Sequence, residues 1–151
     1  MAQRHAELFR AIRPEVLARL VEVRGSIDQT FASMSPDVIG PQFDMVLDRM
    51  QAYLVTESPE SYRNFASRWM AMRVSSGEPP QNLIHAMVSI GDVVTKIAQG
   101  RAAPGPEYQE FARAIARMTF VGSRMLVEQL SDELERRQQQ LAAVRAGGGP
   151  R

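Results

Sequence analysis

The chain has 151 residues, 44% of them hydrophobic and 23% charged, with a formal net charge of +1; that is the size and balance of one globular domain and not of a disordered segment. It holds no cysteine, which excludes disulfides and thiolate metal sites and fits a reducing cytoplasm. No apolar run approaches the ~18–20 residues of a membrane span, the charged start MAQRHAELFRAIRPEV is unlike a signal peptide, and a near-neutral balance gives no long-range pull toward DNA or anionic lipid.

Proline and glycine divide the chain into helices. Pro14 marks a start or restart, after which Val16, Leu17, Leu20, Val21, Ile27, Phe31 and Met34 repeat at helical spacing until the break SMSPDVIGP. Pro41, after Gly40, predicts the first turn of a second helix, because its missing N–H has no partner to lose there. Phe43, Val46, Leu47, Met50, Tyr53 and Leu54 form the apolar stripe of that helix. In TESPESYRNF, Ser58 reads as an N-cap, Pro59 as the first helical residue and Glu60 as an anion at the positive end of the helix dipole.

The stripe of this third helix runs through Tyr62, Phe65, Trp69, Met70 and Met72. Gly77 is placed to close it in the left-handed conformation, and Pro79 with Pro80 bars its continuation. A fourth helix, from about Gln81 to Gln99, carries Leu83, Ile84, Met87, Val88, Ile90, Val94 and Ile97 and ends at Gly100. Sustained alternation and hairpin dipeptides are missing, so no strand is expected.

The last segment differs in scale. From Pro106 to Arg145 there is no further proline and one glycine, Gly122, which predicts a helix roughly 60 Å long at ~1.5 Å per residue. A domain of this size cannot cover that length. The first half is rich in apolar groups (Tyr108, Phe111, Ile115, Met118, Phe120, Val121, Met125, Leu126), and the second thins to a seam. Phe120, Ser123, Val127, Leu130, Leu134, Arg137, Leu141 and Val144 fall at alternating three- and four-residue steps, the period of a two-stranded coiled coil. Ser123 and Arg137 interrupt it. We read Phe120, Val127, Leu130, Leu134, Leu141 and Val144 as a homodimer seam, with a solvated C-terminal helix as the alternative. The expected layout is a helical bundle over 1–126, a coiled-coil extension over 127–146 and a flexible tail over 147–151.

Few residues point to chemistry. His85, in NLIHAMVSIGDVV, is the one histidine outside the N-terminal segment, where His5 is expected to be mobile. It offers a haem ligand as an alternative to a structural or surface role. Asp92 lies in an apolar helix and needs a partner if buried; Arg68, Arg73, Arg117 and Arg124 are the candidates. The nine methionines are adaptable fillers. Trp69, Met70, His85, Met87, Asp92 and Met118 are therefore the candidate ligand pocket.

Catalytic residues are not expected. No serine sits in a G-x-S-x-G turn, the two histidines make no metal-binding pair, and no phosphate-binding glycine loop occurs. The arginines are spread among counter-charges, unlike a nucleic-acid footprint. The expectation is a non-enzyme with no cofactor and no metal; the alternatives are a haem- or tetrapyrrole-binding sensor using His85 and a structural interaction protein whose methionine- and aromatic-lined groove holds a partner helix.

The stretch YLVTESPESYRNFASRWMAMRVSSGEPPQNLIHAMVSIGDVV, followed by a final helix running into ELERRQQQL, resembles the N-terminal sensor domain of RsbR-type bacterial stress regulators. The resemblance covers about residues 14–145 and rests on the pattern of helix ends, not on a catalytic motif. It implies an all-α, globin-like bundle of about five to six helices, usually without haem, dimeric through its terminal helices. It implies a cytoplasmic role in signal transduction and stress response, with a protein partner in a signalling pathway. In that family the last helix leads into a STAS domain or another output module. None follows Arg151, so the expectation is either a free-standing sensor or adaptor or a piece of a longer regulator. No ligand residue transfers from the family.

Overall fold

The computed structural model describes residues 2–101 and 105–148. Among them there are six α-helices and no strand: α1 (Ala2–Glu22), α2 (Arg24–Ile27), α3 (Pro36–Thr56), α4 (Pro59–Ser75), α5 (Pro80–Arg101) and α6 (Pro106–Gly147). A 3-10 turn over Gln29–Ser33 follows α2. The five long helices pack in a ring, α1 on α3, α3 on α4, α4 on α6, α6 on α5, and α5 back on α1.

The helix ends follow local chemistry. α3 stops at Glu57, whose backbone is left-handed (φ 50°) and whose N–H bonds the Tyr53 carbonyl at 2.7 Å. α4 opens on Pro59 and closes at Gly77 with φ 87°, as the sequence predicts. There the N–H groups of Ser76 and Glu78 both return to the Arg73 carbonyl, at 3.2 and 3.3 Å. This closure folds the elbow of residues 76–79 back over the end of α4.

Three boundaries differ from the expected ones. α1 does not restart at Pro14 but runs through it. Pro14 and Arg10 are both exposed, so the Arg10 carbonyl left without its partner faces water, which removes most of the usual cost. The helix then ends at Glu22 and gives way to a connector over 24–35, in place of the unbroken helix that the spacing predicts. α3 begins at Pro36 and not at Pro41, and again the interior proline and its i−4 neighbour Asp37 are both exposed.

The ring closes on one core. Phe9, Ile12, Val16 and Leu20 of α1 are sealed against Ile39, Phe43, Leu47 and Leu54 of α3, and Leu83, Ile90 and Val94 of α5 against Phe111, Ile115 and Met118 of α6. His5, expected to be mobile, is buried in α1 with its ring edge-on to Phe111 at 5.9 Å. Arg13 clamps α1 to α3 through Asp44 (2.8 Å), Asp48 (2.7 Å) and Gln51 (2.9 Å). Burial works against the Arg13 charge, but these two carboxylates outweigh it and hold its pKa above the ordinary value.

α6 is the outlier in length. Its 42 residues extend to roughly 63 Å. Phe111, Ile115, Met118, Gly122, Met125 and Leu126 are buried in the bundle, and from Ser131 to Gly148 only Glu133 is even partly covered. Leu126 is the last buried residue of the helix, and Gln129 and Leu130 beyond it are still half-buried. Residues 149–151 of the expected tail lie outside the described residues.

Candidate functional site

The exposed seam is the most conspicuous surface feature. Phe120, Val127, Leu134 and Leu141 recur at every seventh position and are 66%, 56%, 52% and 59% exposed. A seven-residue repeat drifts by only about 20° per heptad on a straight α-helix, so the four side chains lie along one line. Val144 extends it, and Val88 of α5, also exposed, borders the same shallow depression as Phe120. Leu130 departs from the expected seam. It is half-buried and lines a groove with Met70 and Ala71 of α4. Around the seam, Glu133 pairs with Arg136 (2.9 Å) and Arg137 (3.2 Å), and Arg124 with Glu128 (3.1 Å).

The six residues of the candidate ligand pocket are brought together only in part. Trp69 and Met87 line one interior space with Met50, Tyr62 and Thr119. That space measures ≈ 10 Å³, room for no more than about one water. Met118 is sealed in the core, and Met70 faces the α4–α6 groove. His85 is exposed, its Nε2 lying 3.2 Å from the Ser26 carbonyl. Asp92 is not buried. Its side chain is 64% exposed and pairs with Lys96, one turn on, at 3.3 Å. None of the four candidate arginines is its partner, because this face of α5 points to solvent.

Close packing of α5 on α6 accounts for the filled interior. A Cβ on Gly122 would fall 1.8 Å from the Met87 methyl and 3.2 Å from the Tyr62 ring, and one on Gly91 would fall 2.8 Å from the Thr119 hydroxyl. The absent side chains let Met87 fill the gap. Burial pushes the Tyr62 phenol well above its usual range.

A second cluster escaped the sequence. Asp28, Arg73 and Glu78 meet where α4 ends, with side chains 0%, 11% and 7% exposed. Arg73 Nη2 donates to Asp28 Oδ2 at 3.2 Å and to Glu78 Oε1 at 3.0 Å. Its Nε is in ion-pair contact with Glu78 Oε2, but the N–H is not aimed at that oxygen, so the contact is Coulombic and Nε is buried without a hydrogen bond. The guanidinium stacks over Phe31 at 4.5 Å.

Asp28 Oδ1 accepts from the Thr30 backbone N–H (2.9 Å) and hydroxyl (2.8 Å). Burial raises the pKa of both acids. In Asp28 the hydrogen bonds from Glu78 and Thr30 and the charge of Arg73 outweigh burial and hold the carboxyl low. In Glu78 burial and the bond to Asp28 win over Arg73 and push it up. The local signal in the sequence is Asp-Gln-Thr, an Asx-turn pattern; nothing local points to residues 73 and 78.

One further groove lies between α1 and α5, ≈ 510 Å³, floored by Val23, Ile27, Val93 and Ile97. Each cation on its rim already holds a carboxylate: Arg101 has Glu15 (2.8 Å), Lys96 has Asp92 (3.3 Å) and Arg19 has Glu22 (3.0 Å). Among the described residues no three His, Cys, Asp or Glu side chains converge as a metal site, and no helix is long and apolar enough to cross a membrane. Scans of the chain against protein-family models, curated proteins and solved structures return no match.

Proposed function

We propose that this protein is a non-enzymatic, cytoplasmic sensory or adaptor domain that dimerises through α6 and relays a ligand or partner signal along it. The observation that carries this reading is the line of Phe120, Val127, Leu134 and Leu141, all more than half exposed on a helix that outruns its bundle. Beyond residue 130 the bundle hardly covers the helix, and apolar groups at each seventh position gain most when a second helix covers them. The globin-like arrangement, the coiled coil and the stress-signalling role come from the family resemblance and belong to the proposal. In this mechanism a partner or ligand biases the packing of α5 on the first half of α6, and a small slide there moves the seam, since packed helix pairs have discrete arrangements.

Leu134→Asp with Leu141→Asp is the sharpest test, because neither residue is covered by the bundle. Light scattering at tens of micromolar should give two chains for the native protein and one for the variant. A native monomer, or a variant of unchanged mass, sinks the proposal. The haem alternative needs His85 to leave the Ser26 carbonyl; added hemin giving a sharp Soret band that His85→Ala abolishes would favour it.

A further inference from the structure

The Asp28–Arg73–Glu78 cluster joins three parts of the chain far apart in sequence. Asp28 and Thr30 belong to the connector 24–35, Arg73 ends α4, and Glu78 lies in the elbow leading to α5. Phe31 of the connector packs beneath the guanidinium and edge-on to Phe43 of α3 at 5.6 Å. The cluster is the charged fastening between connector and elbow.

Its charge does not balance if both acids are ionised. Two carboxylates and one guanidinium sum to −1 in a place where no side chain is more than 11% exposed. A buried excess charge is costly and is usually removed by protonation. Arg73 Nη2 donates to one oxygen of each acid, which brings both carboxyls to the same nitrogen, and the two acids are hydrogen-bond partners of one another. Asp28 is the better-supported anion, since its other oxygen accepts two bonds from Thr30. Glu78 has only Arg73, so the proton belongs to Glu78.

We propose that this cluster is a proton-operated latch: one proton held between Glu78 and Asp28 fastens the connector to the α4–α5 elbow, and its loss loosens the connector. The other charged groups nearby are committed elsewhere. Arg24 of α2 donates to the carbonyls of Met34 (2.9 Å) and Val21 (2.8 Å), and His85 of α5 sits on the Ser26 carbonyl. Among the described residues Arg73 is the one cation paired with either acid. The raised pKa of Glu78 and the lowered pKa of Asp28 agree with this division. Glu78 therefore stabilises the fold fully below the unfolded glutamate value of about 4.3, and that contribution is lost as pH rises through its higher folded value. Asp28 acts oppositely, its contribution being lost only in strong acid.

The full chain, followed from pH 4.5 to 8, tests the latch. The melting temperature should fall with rising pH by about 2–5 °C more in the native chain than in Glu78→Gln. Hydrogen exchange of amides 24–35, corrected for intrinsic base catalysis, should quicken with pH in the native chain but not in the variant. Should Glu78→Gln not fold, a carboxyl-carbon NMR titration of the native protein decides. A Glu78 midpoint clearly above the usual glutamate range supports the latch. A midpoint at or below about 4.3, or the same pH dependence of melting with and without the Glu78→Gln change, overturns it.

Discussion

The two halves of α6 share one unbroken helix and little else. From Pro106 to Leu126 it buries Phe111, Ile115, Met118, Gly122, Met125 and Leu126; beyond residue 130 it has almost no neighbours. Helix-forming residues fill both halves, so propensity does not separate them. The first half is held by tertiary burial. The second rests on its own hydrogen bonds, on surface ion pairs worth little each, and, in our proposal, on a partner's seam. One helix can thus be core at one end and interface at the other, with the change of role marked by where its apolar residues stop being covered.

That contrast can be broken, beginning with the largest effect. Phe111→Ala removes a fully buried ring and should cost about 3–5 kcal/mol in denaturant unfolding. A loss below about 1 kcal/mol would mean that the first half is not held by burial. Gly122→Ala forces the Met87 methyl out of its place, costing about 1–3 kcal/mol by overpacking against about 1 kcal/mol gained in helix propensity. With Met87→Ala already present, the same change should be neutral or stabilising. Equal effects in both backgrounds would show that the two residues do not compete for space.

Changes in the projecting half should leave the bundle intact. Leu134→Asp with Leu141→Asp should speed hydrogen exchange over 131–147 while leaving the fluorescence of the buried Trp69 unchanged, the bundle shifting by no more than about 0.5 kcal/mol. A lost Trp69 signal would mean that the tail supports the core. Smallest of all, Glu133→Gln removes the pairs to Arg136 and Arg137. Solvent screening limits this to about 0.3–0.5 kcal/mol, seen as a slight loss of helical circular dichroism that vanishes at high salt. A loss that persists in salt would point to packing instead of charge.

Much of the fold was legible in the residue pattern. Pro59 and Gly77 bound α4 because their backbones need no help from elsewhere, and Pro106 opens α6 for the same reason. Pro14 and Pro41 misled because a proline can sit inside a helix when the carbonyl it abandons faces water, and only the assembled surface says which way that carbonyl faces. Leu130 matched the seam by spacing, yet α4 covers it; Asp92 sat among apolar neighbours, yet its own direction is outward.

The sequence by itself determined that the chain is helical, roughly where its helices end, and that its last helix carries a seven-residue apolar repeat. Backbone conformation and periodicity are local, and each residue type acts on them directly. Only the tertiary structure decided that Met87 fills the space beside Gly122. It alone brought Asp28 to Arg73 and Glu78 in a dry corner. Helical spacing says which residues share a face, but what meets that face depends on helix azimuth and on side chains arriving from distant parts of the chain.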